Sequence, residues 1–210
     1  MVDASGVEVV LPERMALKHV PPFVEEKRRW IERTLRRFRE AEQALPAPTL
    51  EHGGSVPYLG RELLLRVRVE PGRVRPHVAR RGDVLSVKVG HHGTEAVRDA
   101  LERWYKRRAR VEVAARIDAA TRRAGTSYTR LTIRSQRTRW ASCSSSGAMS
   151  FNWRLLLAPE EILDYVVEHE VAHLERMDHS RRFWSLLASR CPDYRRHERW
   201  LRVNGPALRL

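Results

Sequence analysis

Cysteine is nearly absent from the chain. Cys143 and Cys191 are the only two in 210 residues, so no disulfide framework can form, and a chain this long buries about 70 % of its unfolded surface without such staples. No stretch approaches about 18 consecutive apolar residues, which leaves no span for a membrane helix. Met1–Met15 carries Asp3, Glu8 and Glu13 where a secretory leader needs an unbroken apolar core. A soluble cytoplasmic protein with no membrane partner is therefore expected. Aromatics are modest at 7 %, and lysine is scarce: only Lys18, Lys27, Lys88 and Lys106 among 40 cations, the rest being arginine.

What is present is a globular composition, 42 % hydrophobic and 31 % charged, with a formal net charge of +14. Such a field concentrates polyanions near the surface and admits nucleic acid as a partner, although no dedicated recognition pattern accompanies it. The apolar periodicity predicts an α+β protein. A basic amphipathic helix is expected over about 23–45, with Phe23, Trp30, Thr34, Phe38, Ala41 and Leu45 on its inward stripe. A small antiparallel sheet follows from the alternation of Leu63, Leu65, Val67 and Val69 and then of Leu85, Val87 and Val89. Thr94 can cap a long helix whose buried side bears Val97, Leu101, Trp104 and Val111 and whose end is marked by Arg122, Arg123 and Gly125.

The second half changes character. Leu131 and Ile133 alternate with polar neighbours, and a serine-rich turn leads into a strand where Met149, Phe151 and Trp153 point one way. Ser150, Asn152 and Arg154 point the other way and are candidate substrate-binding residues facing a cleft. Cys143 sits among serines, but no base accompanies it for nucleophilic catalysis, so it is expected to pack as a small buried side chain. Pro159, Glu160 and Glu161 have the chemistry of a helix N-terminus.

That helix carries His169-Glu170-Val171-Ala172-His173, an H-E-x-x-H pattern, with His179 beyond it. At about 100° per residue, Glu170 shares the inward face with Leu163, Val166, Val167 and Leu174, where an unpaired carboxylate costs several kcal/mol. A bound dication beside it removes that cost. His169 and His173 stand one turn apart, so both rings reach one ion at zinc distances of about 2.0–2.1 Å. An unbroken helix would project His179 away from them, so it can join only if the chain turns at Met177–Ser180. The rival third ligands are carboxylates of the last helix, Glu198 and then Asp193. Three protein ligands leave the fourth position of one Zn²⁺ to water, whose proton Glu170 can take as general base and return to the departing amine as general acid. Asp178 or Glu175 can orient a histidine from behind, and Tyr194, His197 or an arginine can steady the oxyanion. The bland alternative makes His169 and His173 hydrogen-bonded core residues with Glu170 paired to an arginine.

Arg139–Ser144, Phe151–Arg154, Tyr165–Leu174 and Asp178–Ser180 with Phe183-Trp184 together resemble the YgjP-like family of zinc-dependent metallopeptidases. The likeness is close from about 126 to 201 and looser from about 11 to 125. It implies a zincin-like fold with His169, His173 and His179 on zinc, Glu170 as the acid/base, and peptide or protein substrates laid along the strand at 147–154. Ala141 and Val171 depart from the family's usual glycine and leucine. The metzincin spacing is matched, but Arg176 replaces their glycine and no Met-turn follows. The expected organisation is 1–125 as the helix-and-sheet portion and 126–210 as the metal-bearing region of one family domain. The competing class is a nucleic-acid-associated binding protein, or a DNA-linked protease, whose metal site is structural or vestigial.

Overall fold

A computed structural model describes residues 2–3, 6–11, 14–136 and 139–210. Two compact units emerge: 1–47 with Leu201–Ala207, and Pro48–Trp200 with Leu208–Leu210.

The first unit pairs two short antiparallel strands, β1 (Val2–Asp3) and β2 (Gly6–Val7), and carries helix α1 (Val20–Ala44). Pro21 and Pro22 occupy its first turn, where a missing N–H removes no intrahelical bond. The expected inward stripe is filled unevenly: Ala41 is fully buried, Thr34, Phe38 and Leu45 are half-buried, and Phe23 and Trp30 keep half their surface exposed.

The second unit holds two small sheets and most of the helices, an α+β arrangement. The first sheet has the order β3 (Ser55–Tyr58), β4 (Arg61–Val69), β6 (Val84–Val89), β5 (His77–Arg81). The outer pairs are antiparallel, but β4 and β6 run parallel, so the sheet is mixed rather than antiparallel throughout. The cause is β5, whose His-Val-Ala-Arg-Arg sequence carries little apolar alternation and which takes the hairpin place beside β6 across Gly82, at φ +57°. Leu63, Leu65, Leu85 and Val87 are fully buried from this sheet, each stabilising by about 1.5–3 kcal/mol.

Helix α2 (Thr94–Ala124) ends on Gly125 in the left-handed conformation, whose N–H caps the carbonyls of Arg122 and Thr121. Gly93 rather than Thr94 is its N-cap, and Val111 is 57 % exposed where a buried position was expected. The second sheet has the order β7 (Arg130–Arg134), β9 (Ala148–Asn152), β8 (Ala141–Cys143), with β7 parallel and β8 antiparallel to β9. A buried 3-10 turn, Trp153–Leu157, delivers the chain to helix α3 (Glu160–His173), with Pro159 as N-cap. Helices α4 (Arg181–Arg190) and α5 (Tyr194–Asn204) follow.

Candidate metal centre

Helix α3 buries Ile162, Leu163, Tyr165, Val166, Val167, Val171 and Ala172, and the same inward side carries Glu170 and His173. The helix stops at His173. Its last carbonyls are closed by the N–H groups of Leu174, Glu175 and Arg176, a tightened turn that reverses the chain before α4. The Arg176 carbonyl lies 3.0 Å from His173 Nδ1. An Nδ1–H donor there leaves the Nε2 lone pair free, the arrangement that fixes a metal-binding tautomer. The orienting group is thus a backbone carbonyl. The carboxylates considered for that task are engaged elsewhere, Glu175 with Arg190 and Asp178 with the Ser180 N–H at 3.5 Å.

The reversal brings His179 back over the helix. His179 Nε2 stands 3.2 Å from His169 Nε2, close to the edge of about 3.3 Å for a tetrahedral site with 2.0–2.1 Å bonds. One ligand atom from each of His169, His173 and His179 lies within 4.8 Å of the other two, the one such group among the described residues. Glu198 and Asp193 do not belong to it. Two imidazole nitrogens this close, with lone pairs turned toward each other, repel unless a proton or a cation lies between them.

Aromatic rings set the three imidazoles. Phe183 stacks on His173 at 4.6 Å and 27° and meets His169 and His179 edge-on at 5.0 and 4.8 Å. Trp184 stacks on His179 at 5.5 Å and 28°, and Tyr194 continues the stack at 5.5 Å and 21°. The supporting role of Phe183 and Trp184 is not evident from the sequence, and Tyr194, offered there as a group to steady the oxyanion, stands behind Trp184 in the stack.

Electrostatically the site is unbalanced. Glu170 is 6 % exposed, its Oε2 has no hydrogen-bond partner among the described residues, and burial raises its pKa to about 8. Burial, then the charges of His173 and His179, lowers His169 to about 4, which keeps its ring neutral with a lone pair to give. Burial also lowers His173 against the Arg176 hydrogen bond. Neutral imidazoles beside an unpartnered buried carboxyl fit a divalent cation well, since it satisfies both at once.

The strand residues expected to face substrate are placed otherwise. Ser150 and Asn152 are buried; Ser150 Oγ bonds Ser142 Oγ at 2.9 Å, and Asn152 bridges the Gln136 carbonyl and the Arg154 N–H. The Arg154 guanidinium lies over the Trp153 ring at 4.6 Å. Strand β9 has a partner on each side, so the edges of this sheet are β7 and β8, and β8 is the one in contact with α3. The bonds from the Asn152 N–H to the Trp140 carbonyl and from the Ser144 N–H to the Ala148 carbonyl fix the phase of the ladder. Ala141 and Cys143 then turn their backbone groups outward. Burial, with the Glu170 charge second, raises the Cys143 thiol to about 11, so it is no nucleophile.

Residues 1–204 match the family model described as YgjP-like, metallopeptidase domain. The chain belongs to the YgjP-like family. By family, this YgjP-like chain thus carries a metallopeptidase domain. A solved structure of the metallopeptidase zymogen of Pyrococcus abyssi abylysin is similar at 24 % identity, covering 42 % of this chain and 91 % of that one, with a TM-score of 0.39. No curated protein matches. Among the described residues no helix is long and apolar enough to cross a membrane.

Proposed function

We propose that this YgjP-like chain is a zinc-dependent metallopeptidase, with His169, His173 and His179 holding one Zn²⁺ and Glu170 as general base and acid. The observation that carries this reading is the meeting of three imidazole nitrogens within 4.8 Å, at a helix whose Glu170, next to His169, has a buried carboxyl oxygen with no partner among the described residues. Bound zinc would supply Lewis acidity, polarising the scissile carbonyl and acidifying a water. A cation nearby favours the carboxylate form of Glu170, which takes a proton from the attacking water at a carboxyl oxygen and returns it to the departing amine. The Arg176 carbonyl holds His173 in its donating tautomer, and Phe183 excludes water from behind both helix histidines.

In this reading an extended peptide adds to the free edge of β8, bonding the backbone of Ala141 and Cys143, while Ser150, Asn152 and Arg154 support the sheet behind. Residues 126–210 carry the chemistry, and 1–125 complete the domain.

Elemental analysis and a peptide-library digest test the reading together. Wild type should hold one zinc and cleave peptides. Glu170→Gln should keep the zinc and lose turnover by about 10²–10⁴-fold. His169→Ala, His173→Ala and His179→Ala should each lose the metal, and Glu198→Ala should not. A zinc-loaded wild type inert toward every peptide, or a Glu170→Gln protein as active as wild type, would refute the assignment.

A further inference from the structure

The formal net charge is +14, and within α2 the cations fall into two groups. On α2, cations on most sides of the helix are neutralised. Arg98 meets Glu95, Lys106 meets Glu102, Arg108 meets Glu112, Arg116 meets Glu112, Glu160 and Asp164, and Arg123 meets Glu168. Arg103, Arg107 and Arg110 are different. All three are exposed and none has an ion pair among the described residues; Arg110 reaches only a backbone carbonyl, that of Leu131, at 3.5 Å. Their spacing of four and then three residues puts them on a single stripe spanning about 10 Å. Like charges at these spacings destabilise a helix, so the stripe opposes folding. Asp99, one turn earlier, marks its end.

A second row lies alongside. Ser135 Oγ donates to Glu102 at 3.2 Å, while Arg110 bonds Leu131, so β7 runs antiparallel to this part of α2. Leu131 is buried, and the strand's two-residue period turns Arg130 and Arg134 to the opposite, exposed side. Neither has an ion-pair partner among the described residues. The four-residue separation between them is about 13 Å. Helix α2 and the edge strand β7, which contact one another, thus bear five exposed arginines, on the edge of the second sheet opposite β8.

From this arrangement we propose that the Arg103, Arg107, Arg110, Arg130 and Arg134 ridge is a docking surface for the phosphate backbone of duplex DNA. Guanidinium forks pair with phosphate oxygens in bidentate fashion. Duplex DNA carries a charge about every 1.7 Å along its axis, so a ridge of 10–13 Å faces several phosphates at once. No aromatic side chain stands within either row to stack a base, so recognition is of the backbone and independent of sequence. The ridge does not require the peptidase reading to hold, since its five residues lie outside the histidine cluster.

The test is fluorescence anisotropy with a labelled 24-base-pair duplex of random sequence, using the full chain between 50 and 200 mM salt. Five neutralised phosphates give a log–log salt slope of about −4.5, an affinity loss of about 500-fold over that range. The triple variant Arg103→Gln/Arg107→Gln/Arg110→Gln should bind at least tenfold more weakly at 50 mM, with its slope reduced to about −2. The matching lysine variant keeps the charge and should keep most of the slope, which separates lost charge from lost fold. Arg33→Gln/Arg36→Gln/Arg37→Gln on α1 should bind as wild type does. The proposal is overturned if wild type fails to bind at 50 mM, if the α1 variant loses as much as the α2 variant, or if anionic phospholipid vesicles bind the ridge while duplex DNA does not. Peptide cleavage by the α2 variant without DNA should equal wild type, so failure of the DNA result leaves the active-site reading standing, and the reverse.

Discussion

Helix α3 handles its acidic residues in two opposite ways. Along its outer side Glu160, Asp164 and Glu168 recur every four residues, and each meets an arginine of α2: Arg116 takes Glu160 and Asp164, the latter at 2.7 Å, and Arg123 takes Glu168. Arg116 also reaches Glu112, which with Arg108 and the Tyr58 hydroxyl closes a network of short bonds at 2.6–2.8 Å. Two residues past Glu168, Glu170 is the most buried carboxylate of the helix, and its Oε2 is left without a partner among the described residues. Among the described residues, rich in arginine as they are, none has been placed to neutralise it. Where carboxylates hold α2 and α3 together they are saturated with partners; where one stands next in sequence to a histidine of the cluster, one of its oxygens is kept open among the described residues. Leaving a buried acid unsatisfied costs stability, and such a cost marks a group held ready for a ligand and a proton.

The sharpest way to break that contrast is to titrate it without metal. Glu170 has its folded pKa raised to about 8 by burial, against an ordinary value of 4.5. Between those values the folded chain holds a proton that the unfolded chain has released. Stability of the metal-free protein should therefore fall as pH rises through this window, by up to about 1.4 kcal/mol per pH unit from this group, and level off above pH 8. Urea unfolding in EDTA should show wild type losing several kcal/mol relative to Glu170→Gln between pH 5 and 8. Parallel curves for the two proteins would mean that the carboxyl finds a partner after all.

Much of this site was legible in the sequence because helical geometry is local. The spacing of His169 and His173, the inward placement of Glu170 and the need for a turn before His179 all follow from about 100° per residue and a breaker-rich segment. The boundaries of α2 near Thr94 and Gly125 follow for the same reason. What escaped depends on contacts distant in sequence or on backbone atoms. No side-chain pattern announces that the Arg176 carbonyl, rather than Asp178 or Glu175, faces His173. The residues 141–143 form too short a strand to show a period, so the sequence points to the strand at 147–154 as the cleft edge although β8 pairs along it. Residues 77–81 lack apolar alternation, and their insertion beside β6 made the first sheet mixed.

The paired side of the comparison makes the opposite forecast. Burial alone would raise Glu112, but hydrogen bonds from Arg116 and Tyr58 and the charges of Arg116 and Arg108 outweigh it and hold the carboxyl below its ordinary range. A depressed carboxyl contributes stability that is present above its unfolded pKa and is lost as pH falls through its folded one. Glu112→Gln should cost about 1–3 kcal/mol near pH 7, less than a fully buried pair because the network is partly hydrated. The deficit should vanish under acid, while zinc affinity stays as in wild type. A variant that loses zinc along with stability would show that the two carboxylate systems of α3 are coupled rather than separate.

The smallest effect concerns the one histidine that the helix does not hold. His169 and His173 are fixed by α3, whereas His179 is exposed and belongs to the turn, with Trp184 stacked on its ring and Tyr194 behind. Such ring pairs contribute about 0.5–1.5 kcal/mol beyond buried area. Trp184→Ala should therefore weaken zinc binding by roughly three- to tenfold in a chelator competition, and Trp184→Phe should restore most of it. Replacing zinc with cobalt adds a readout that general destabilisation does not move, because the visible bands report the symmetry of the ligand set. The Ala variant should broaden those bands while its metal-free melting curve stays within about 1 kcal/mol of wild type. Unchanged bands and affinity would mean that the turn from Leu174 to Ser180 positions His179 unaided.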